Sequence, residues 1–366
     1  MEYAVKTLVE ESVALLRSMV HIPSESFGEE GVASLIESFL ESKGLAPRRY
    51  GTNVVCAAEN HDVSKPTLAL DAHIDTVAPS QDYTRDPYDA GDDPEIIYGL
   101  GSNDDGGSVV SMIAAFRHFE SCGSLPFNVV LALSSQEERS GSGGASFLYG
   151  PDGPSEVRDA EWVIVGEPTG MKVATSERGL LVLDAVAHGV SGHAARNEGV
   201  NALYIALEDI NALRSHVFDR ISPSMGCVRL NVTQINAGHA HNVIPDSCSF
   251  VVDIRPTECY TNEEIFAELQ EVCKSTLKAR NLSNRSSATY PDSPLLSAAH
   301  ALGMETFTSP TTSNWMRTHK DAVKMGPGDS SRSHKADEYI LGEEISTAVE
   351  KYIEFIETLA NGNTLE

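Results

Sequence analysis

Three short apolar runs in the first half of this 366-residue chain each lead into side chains that bind metals or move protons. Thr67 to Leu70 leads into His73-Ile74-Asp75, Asn128 to Leu133 into Gln136-Glu137-Glu138, and Trp162 to Val165 into Gly166-Glu167-Pro168. A glycine-rich turn, Gly99 to Gly107, carries the adjacent Asp104 and Asp105, and a late Gly326-Pro327-Gly328-Asp329 turn precedes His334. Imidazole nitrogens and carboxylate oxygens are donors suited to zinc. A further carboxylate beside such a centre can serve as a general base. Each piece alone has an ordinary explanation: a Glu pair on a solvated face, aspartates capping a helix, a Gly-Pro-Gly turn. Their joint position at strand ends points to one site, because open α/β sheets bind ligands outside the carboxyl ends of their strands.

The positioning elements follow from periodicity. Leu8, Val13, Leu16 and Val20 recur at near-helical spacing, as do Val32, Leu35, Ile36 and Phe39, which predicts two amphipathic helices. The three apolar runs are too short for typical helices, and their branched residues favour buried strands. Gly107 to Glu120 reads as a helix between the first two strands, so the first part is an α/β sheet sandwiched by helices. The middle of the chain changes character. Leu180 to Ala187 reads as a strand, Val200 to Leu213 as a helix, Val228 to Ile235 and Cys248 to Ile254 as strands, and Asn262 to Arg280 as one helix. That order is most of a ferredoxin-like split pattern, expected as an inserted domain over residues 172–283. Residues 1–171 and 284–366 then form one discontinuous domain, which closes with a helix at Pro294 to Leu302, a strand near Ala322 to Met325 and a helix near Glu343 to Leu359.

A formal net charge of −26 argues against a nucleic-acid backbone as partner. No apolar run is long enough to span a membrane, and the start lacks the basic segment and apolar block of a signal peptide, so the expected location is cytoplasmic. Six scattered cysteines, Cys56, Cys122, Cys227, Cys248, Cys259 and Cys273, form no Cys-x-x-Cys pair and read as reduced thiols.

Taken together, His73-Ile74-Asp75-Thr76-Val77, Tyr98-Gly99-Leu100-Gly101 through Asp104, Glu137-Glu138, Gly166-Glu167-Pro168, Ser191-Gly192-His193, Asn242-Val243-Ile244-Pro245 and Asp253-Ile254-Arg255 are distinctive. On these segments the chain resembles the dinuclear zinc metallopeptidases that include acetylornithine deacetylase, succinyl-diaminopimelate desuccinylase, aminoacylase and carboxypeptidase G. The resemblance implies a zinc-peptidase-like α/β/α catalytic domain with an inserted dimerisation lid. It implies two zinc ions: one held by His73, Asp104 and Glu167, the other by the bridging Asp104 with Glu138 and His334. Such ligands do not discriminate sharply, so cobalt or manganese are expected substitutes. Asp75 would orient His73, Glu137 would be the general base, and His193 would reach across to a partner subunit's active site and stabilise the oxyanion. Arg255, Asn242 and Gly328 would meet substrate. One departure stands out: Asp104-Asp105-Gly106-Gly107 replaces the family's common Asp-Met-Lys-Gly.

Tyr83 to Tyr88 and the Gly326 to Ser330 loop resemble the acetylornithine deacetylase branch. The expected substrate is therefore an N2-acyl ornithine or citrulline of arginine biosynthesis, carrying an acetyl or succinyl group. The alternatives are succinyl-diaminopimelate desuccinylase, a small-peptide carboxypeptidase and a non-catalytic binding protein on the same fold.

Overall fold

Seventeen strands organise the chain in a computed structural model that describes residues 2–122, 125–196 and 198–362. They are β1 (Arg48–Tyr50), β2 (Asn53–Ala57), β3 (Thr67–His73), β4 (Ile96–Tyr98), β5 (Asn128–Ser134), β6 (Trp162–Val165), β7 (Val173–Glu177), β8 (Leu181–His188), β9 (Gly192–His193), β10 (Arg229–Ala237), β11 (Val243–Ile244), β12 (Ser247–Arg255), β13 (Thr276–Ala279), β14 (Ser287–Ala288), β15 (Thr306–Ser309), β16 (Asp321–Lys324) and β17 (Tyr339–Leu341). The longer helices are α1 (Glu2–Val20), α2 (Glu30–Ser42), α3 (Gly107–Cys122), α4 (Ala202–Ser215), α5 (Asn262–Val272), α6 (Pro294–Ala301) and α7 (Gly342–Gly362). Among the described residues no helix is long and apolar enough to cross a membrane. Two compact units result: Met1–Thr175 with Thr289–Phe307 and Ser313–Glu366, and Ser176–Ala288 with Thr308–Thr312.

The first unit is built on a sheet in which β3 lies parallel to both β5 and β6, and β16 parallel to β6. Strands β1 and β2 extend it antiparallel beyond β5. Every residue of β3 and β5 is buried, as strands covered on both faces must be. Alternation divides their side chains. Leu68, Leu70, Val129, Leu131 and Leu133 join a core with α1, α2, α3, α6 and α7, while Ala69, Val130, Ala132 and Val163 pack with Tyr149, Val157 and Trp315. This is the expected α/β/α layering. Because β3, β5 and β6 run in one direction, their carboxyl ends share a rim.

The second unit is a four-stranded antiparallel sheet, in the order β10-β12-β8-β13, with α4 and α5 in its core. The chain order strand, helix, strand, strand, helix, strand completes the ferredoxin-like pattern. It also corrects one expectation, since the helix predicted over Asn262 to Arg280 ends at Val272. The buried Asp209 of α4 accepts hydrogen bonds from the amides of Lys274 (2.9 Å) and Ser275 (2.8 Å), which turns the chain. Thr276–Ala279 then pairs with β8 as the fourth strand. That capture is long-range and leaves no periodic mark. The start of the same helix is local: Thr261 and Glu264 form a reciprocal capping box.

Cys56, Cys227, Cys248, Cys259 and Cys273 are free thiols, and the side chain of Cys122 lies outside the described residues.

Candidate metal centre

Parallel pairing places His73, at the end of β3, opposite Ser134, at the end of β5. The chain then runs from Ser134 into Gln136-Glu137-Glu138, and from β6 into Gly166-Glu167. The glycine turn brings in Asp104. Gly101 adopts φ 75°, and a Cβ there would meet Thr76 Cγ2 at 2.5 Å, so this turn needs glycine both for conformation and for room.

One donor atom each from His73, Asp104 and Glu138 lies within 4.8 Å of the others. His73, only 2% exposed, points Nε2 at Asp104 Oδ1 (3.2 Å). Its Nδ1 meets the main-chain carbonyl of Asp75 at 2.9 Å, whereas the Asp75 carboxylate stands off at 3.6 Å. The carbonyl therefore fixes the ring, which turns Nε2 toward Asp104. His334 Nε2 lies 2.8 Å from Glu138 Oε1 and 3.7 Å from Asp104 Oδ2. The structure thus brings His73, Asp104, Glu138 and His334 together around Asp104.

The Asp75 carboxylate, besides lying 3.6 Å from His73 Nδ1, is engaged by the neighbouring loop. It accepts hydrogen bonds from the amides of Glu137 (2.9 Å) and Glu138 (3.1 Å) and from the Ser26 hydroxyl (2.6 Å). Glu29, buried on the segment before α2, accepts the preceding amide, that of Gln136, at 3.1 Å. Two buried carboxylates therefore pin three successive amides of the loop that carries Glu137. Nothing in the spacing of Ser26 or Glu29 announces that role.

Electrostatics mark the same cluster. Burial pushes Glu137 up to about 8, aided by the charges of Glu138, Asp75 and Asp104 and opposed by His73. Burial and Asp104 hold Glu167 well above the carboxylate range, with Lys324 opposing. Burial acts against it, but Asp104 and Asp75 hold the His73 imidazole well above its ordinary value. Glu138 beside it pushes His334 up to about 9. Against burial, His73 keeps Asp104 below the usual carboxylate range. Carboxylates this crowded repel as anions, and divalent cations would relieve that repulsion. The donor types, their convergence and the aim of His73 Nε2 at Asp104 all fit such ions.

Asp105, next to Asp104, is buried behind the turn, and burial pushes it up to about 8. The departure at Gly106 has a steric account: a Cβ there would lie 2.5 Å from the Gly101 carbonyl oxygen and 2.6 Å from Leu16 Cδ1. This chain has no room for the lysine that the resemblance would place there.

His193, Asn242 and Arg255 lie in the second unit. Asn242 is exposed, and the His193 ring accepts the Ala195 amide at Nδ1 (3.2 Å). The Arg255 guanidinium is paired with both oxygens of Asp253, at 2.9 and 3.1 Å. Gly328, in the first unit at φ 81°, leaves room for Asn103: a Cβ there would sit 2.3 Å from Asn103 Oδ1.

Comparison with known proteins gives a consistent family. The model of "Peptidase family M20/M25/M40" matches residues 69–358. A probable carboxypeptidase of Emericella nidulans is 28% identical over 295 residues, covering 74% of this chain and 69% of that protein. One from Aspergillus oryzae is 28% identical over 260 residues, covering 65% of this chain and 60% of that protein. In structure, the chain is similar to the aminopeptidase PepT of Bacillus cereus, with a TM-score of 0.77 at 19% identity over 96% of this chain and 99% of that one. It is also similar to an M20 family metallo-carboxypeptidase of Sulfolobus solfataricus, with a TM-score of 0.73 at 18% identity over 99% and 100%.

Proposed function

The chain belongs to peptidase family M20/M25/M40, and from that premise we propose that it is a metal-dependent hydrolase of the amide bond preceding an amino acid with a free carboxylate. The observation that carries this reading is the convergence of His73, Asp104 and Glu138 within 4.8 Å, with His334 at 2.8 Å from Glu138 and Glu137 adjacent on a pinned loop.

In this reading His73, Asp104 and Glu167 would hold one divalent cation, and Asp104, Glu138 and His334 would hold a second. Zinc suits the donor set, with cobalt or manganese as substitutes. When bound, the pair supplies Lewis acidity, polarising the scissile carbonyl and acidifying water. The protein's own part falls to Glu137, whose carboxylate oxygen takes a proton from the attacking water and returns it to the departing nitrogen. Asp75 and Glu29 hold Glu137 in place for both transfers. Arg255, Asn242 and Gly328 are the proposed substrate contacts, a guanidinium matching a substrate carboxylate, and His193 is the proposed oxyanion stabiliser, acting at a partner subunit's site. Pairing of two copies through the second unit is part of the reading. Edge strand β10 and the exposed Val200, Tyr204, Leu207 and Ile235 support it.

The names of the curated relatives favour an aminoacyl group on the cleaved nitrogen, as in a small-peptide carboxypeptidase. The Tyr83 to Tyr88 segment and the Gly326 to Ser330 loop favour a second reading, release of acetyl or succinyl from an N2-acyl ornithine or citrulline. One panel separates them: dipeptides, N-acetyl amino acids and N-succinyl amino acids, with metal-reconstituted enzyme and a chelated control. Chelator-sensitive hydrolysis is expected, and Glu137→Gln should lower turnover by about 10²–10⁴-fold. Full activity in that variant would remove Glu137 from the mechanism.

A further inference from the structure

Glu338 is buried (2% exposed) four residues beyond His334, and no part of the proposed chemistry uses it. Its Oε1 accepts two consecutive main-chain hydrogen bonds, from the amides of Asn103 (2.9 Å) and Asp104 (2.9 Å). Its own carbonyl accepts the Gly99 amide at 2.8 Å. The residues on either side extend the join. Strand β17 pairs with β4, with Tyr339 opposite Tyr98. The Asp337 carboxylate accepts the amides of Thr84 (2.9 Å) and Arg85 (3.0 Å). From the other direction, Asn103 Oδ1 accepts the Asp329 amide at 2.9 Å and Asn103 Nδ2 donates to the Asp329 carbonyl at 3.1 Å, in the space left by Gly328.

The main chain leading into Asp104 is thus fastened to the segment that carries His334 on both sides of that histidine, at Asp329 and at Glu338. We propose that Glu338 is a positioning residue of the metal centre, fixing the main chain of Asp104 against the His334 loop so that both are set for a shared cation before one binds. The inference rests on the two-cation reading above. It makes a claim that reading does not: one acceptor oxygen, Oε1, sets the spacing, and the charge of Glu338 is dispensable. It also gives Gly328 a structural task, admitting Asn103.

The test is zinc binding by chelator-stripped protein, in competition with a chromophoric chelator, alongside thermal unfolding of the stripped protein. Wild type should bind two equivalents; failure to do so would sink the two-cation reading whatever the variants show. Glu338→Ala should weaken the ion shared by Asp104 and His334 by about 10–100-fold, the usual cost of losing a residue that orients a ligand. Glu338→Gln keeps an oxygen for both amides and should lose less than about tenfold. Asn103→Ala removes the Asp329 tie and should weaken the same ion, which keeps the test decisive should Glu338→Ala not fold. Wild-type affinity in folded Glu338→Ala, or in Asn103→Ala, overturns the proposal. So does a Gln variant as weak as the Ala variant, because charge would then carry the effect.

Discussion

Replacing Asp75 with Asn should separate the two tasks open to this residue, orienting His73 and holding the Glu137 loop. The residue is 1% exposed, and its two oxygens accept from Glu137 N, Glu138 N and Ser26 Oγ at 2.9, 3.1 and 2.6 Å. Asparagine keeps the shape but offers one oxygen, so its NH₂ must face a buried donor. A hydrogen bond to a charged group contributes about 1.5–3 kcal/mol, and a buried donor left unpaired costs about 1–3 kcal/mol. The expected loss is about 2–4 kcal/mol, measured by urea unfolding of the metal-stripped protein. With its amides released, the loop shifts Glu137, and a misplacement of about 1 Å can cost roughly 100-fold in rate. The drop should fall on kcat more than KM. A double variant supplies the decisive comparison: with Glu137→Gln already present, Asp75→Asn should reduce turnover little further, because both act through one base. An equal penalty in the two backgrounds would refute this reasoning and return Asp75 to a role through His73.

The metal-stripped protein should be less stable at pH 9 than at pH 6. Burial pushes Glu137, Asp105 and Glu338 each up to about 8, from ordinary values of 3.8 for Asp and 4.5 for Glu, so across that range the folded chain holds protons the unfolded chain has released. Their stabilisation is complete below the unfolded values and is lost as pH rises through about 8; His334, raised to about 9, acts in the same direction. Saturating zinc should flatten the decline, and a Tm that is level or rising from pH 6 to 9 without metal would contradict the assignment. In the second unit, Arg178 is buried and donates to the carbonyls of Met225, Cys227 (3.0 Å) and Arg255 (3.3 Å). Arg178→Met should cost about 3 kcal/mol and expose residues 222–229 to limited proteolysis, and unchanged protease resistance would refute it.

What the sequence made legible and what it hid divide on physical lines. Strands β3, β5 and β6 are readable because burial on both faces leaves unbroken apolar runs. Strands β4 and β17 are three residues each and, among the described residues, pair only with one another, so neither carries enough pattern to be seen. The fourth strand of the second unit was hidden inside a predicted helix because Asp209, from another element, decides where that helix stops. At the metal centre, His73, Asp104, Glu138 and His334 stand out by type at the ends of elements. Glu29, Asn103 and Glu338 do not, because a side chain that accepts main-chain amides from a distant segment leaves no spacing signature. The departure at Gly106 is visible in the sequence, but its cause, the nearness of the Gly101 carbonyl and Leu16, arises only in the folded chain.

The place of β16 in the first sheet has a consequence for synthesis. It pairs along the whole of β6, yet the two are separated in the chain by the entire second unit. While that unit is being made, β6 leaves the ribosome with an open hydrogen-bonding edge, the surface most prone to join strands of other chains. The second unit closes its own excursion, since Ser176 and Glu177 pair with Ala288 and Ser287. Once that pairing has formed, the stretch still to be closed before β16 is residues 289–320, which include α6 and β15, instead of all of 166–320. A nascent chain halted before Asp321 would lack β16 and so keep that edge of β6 open.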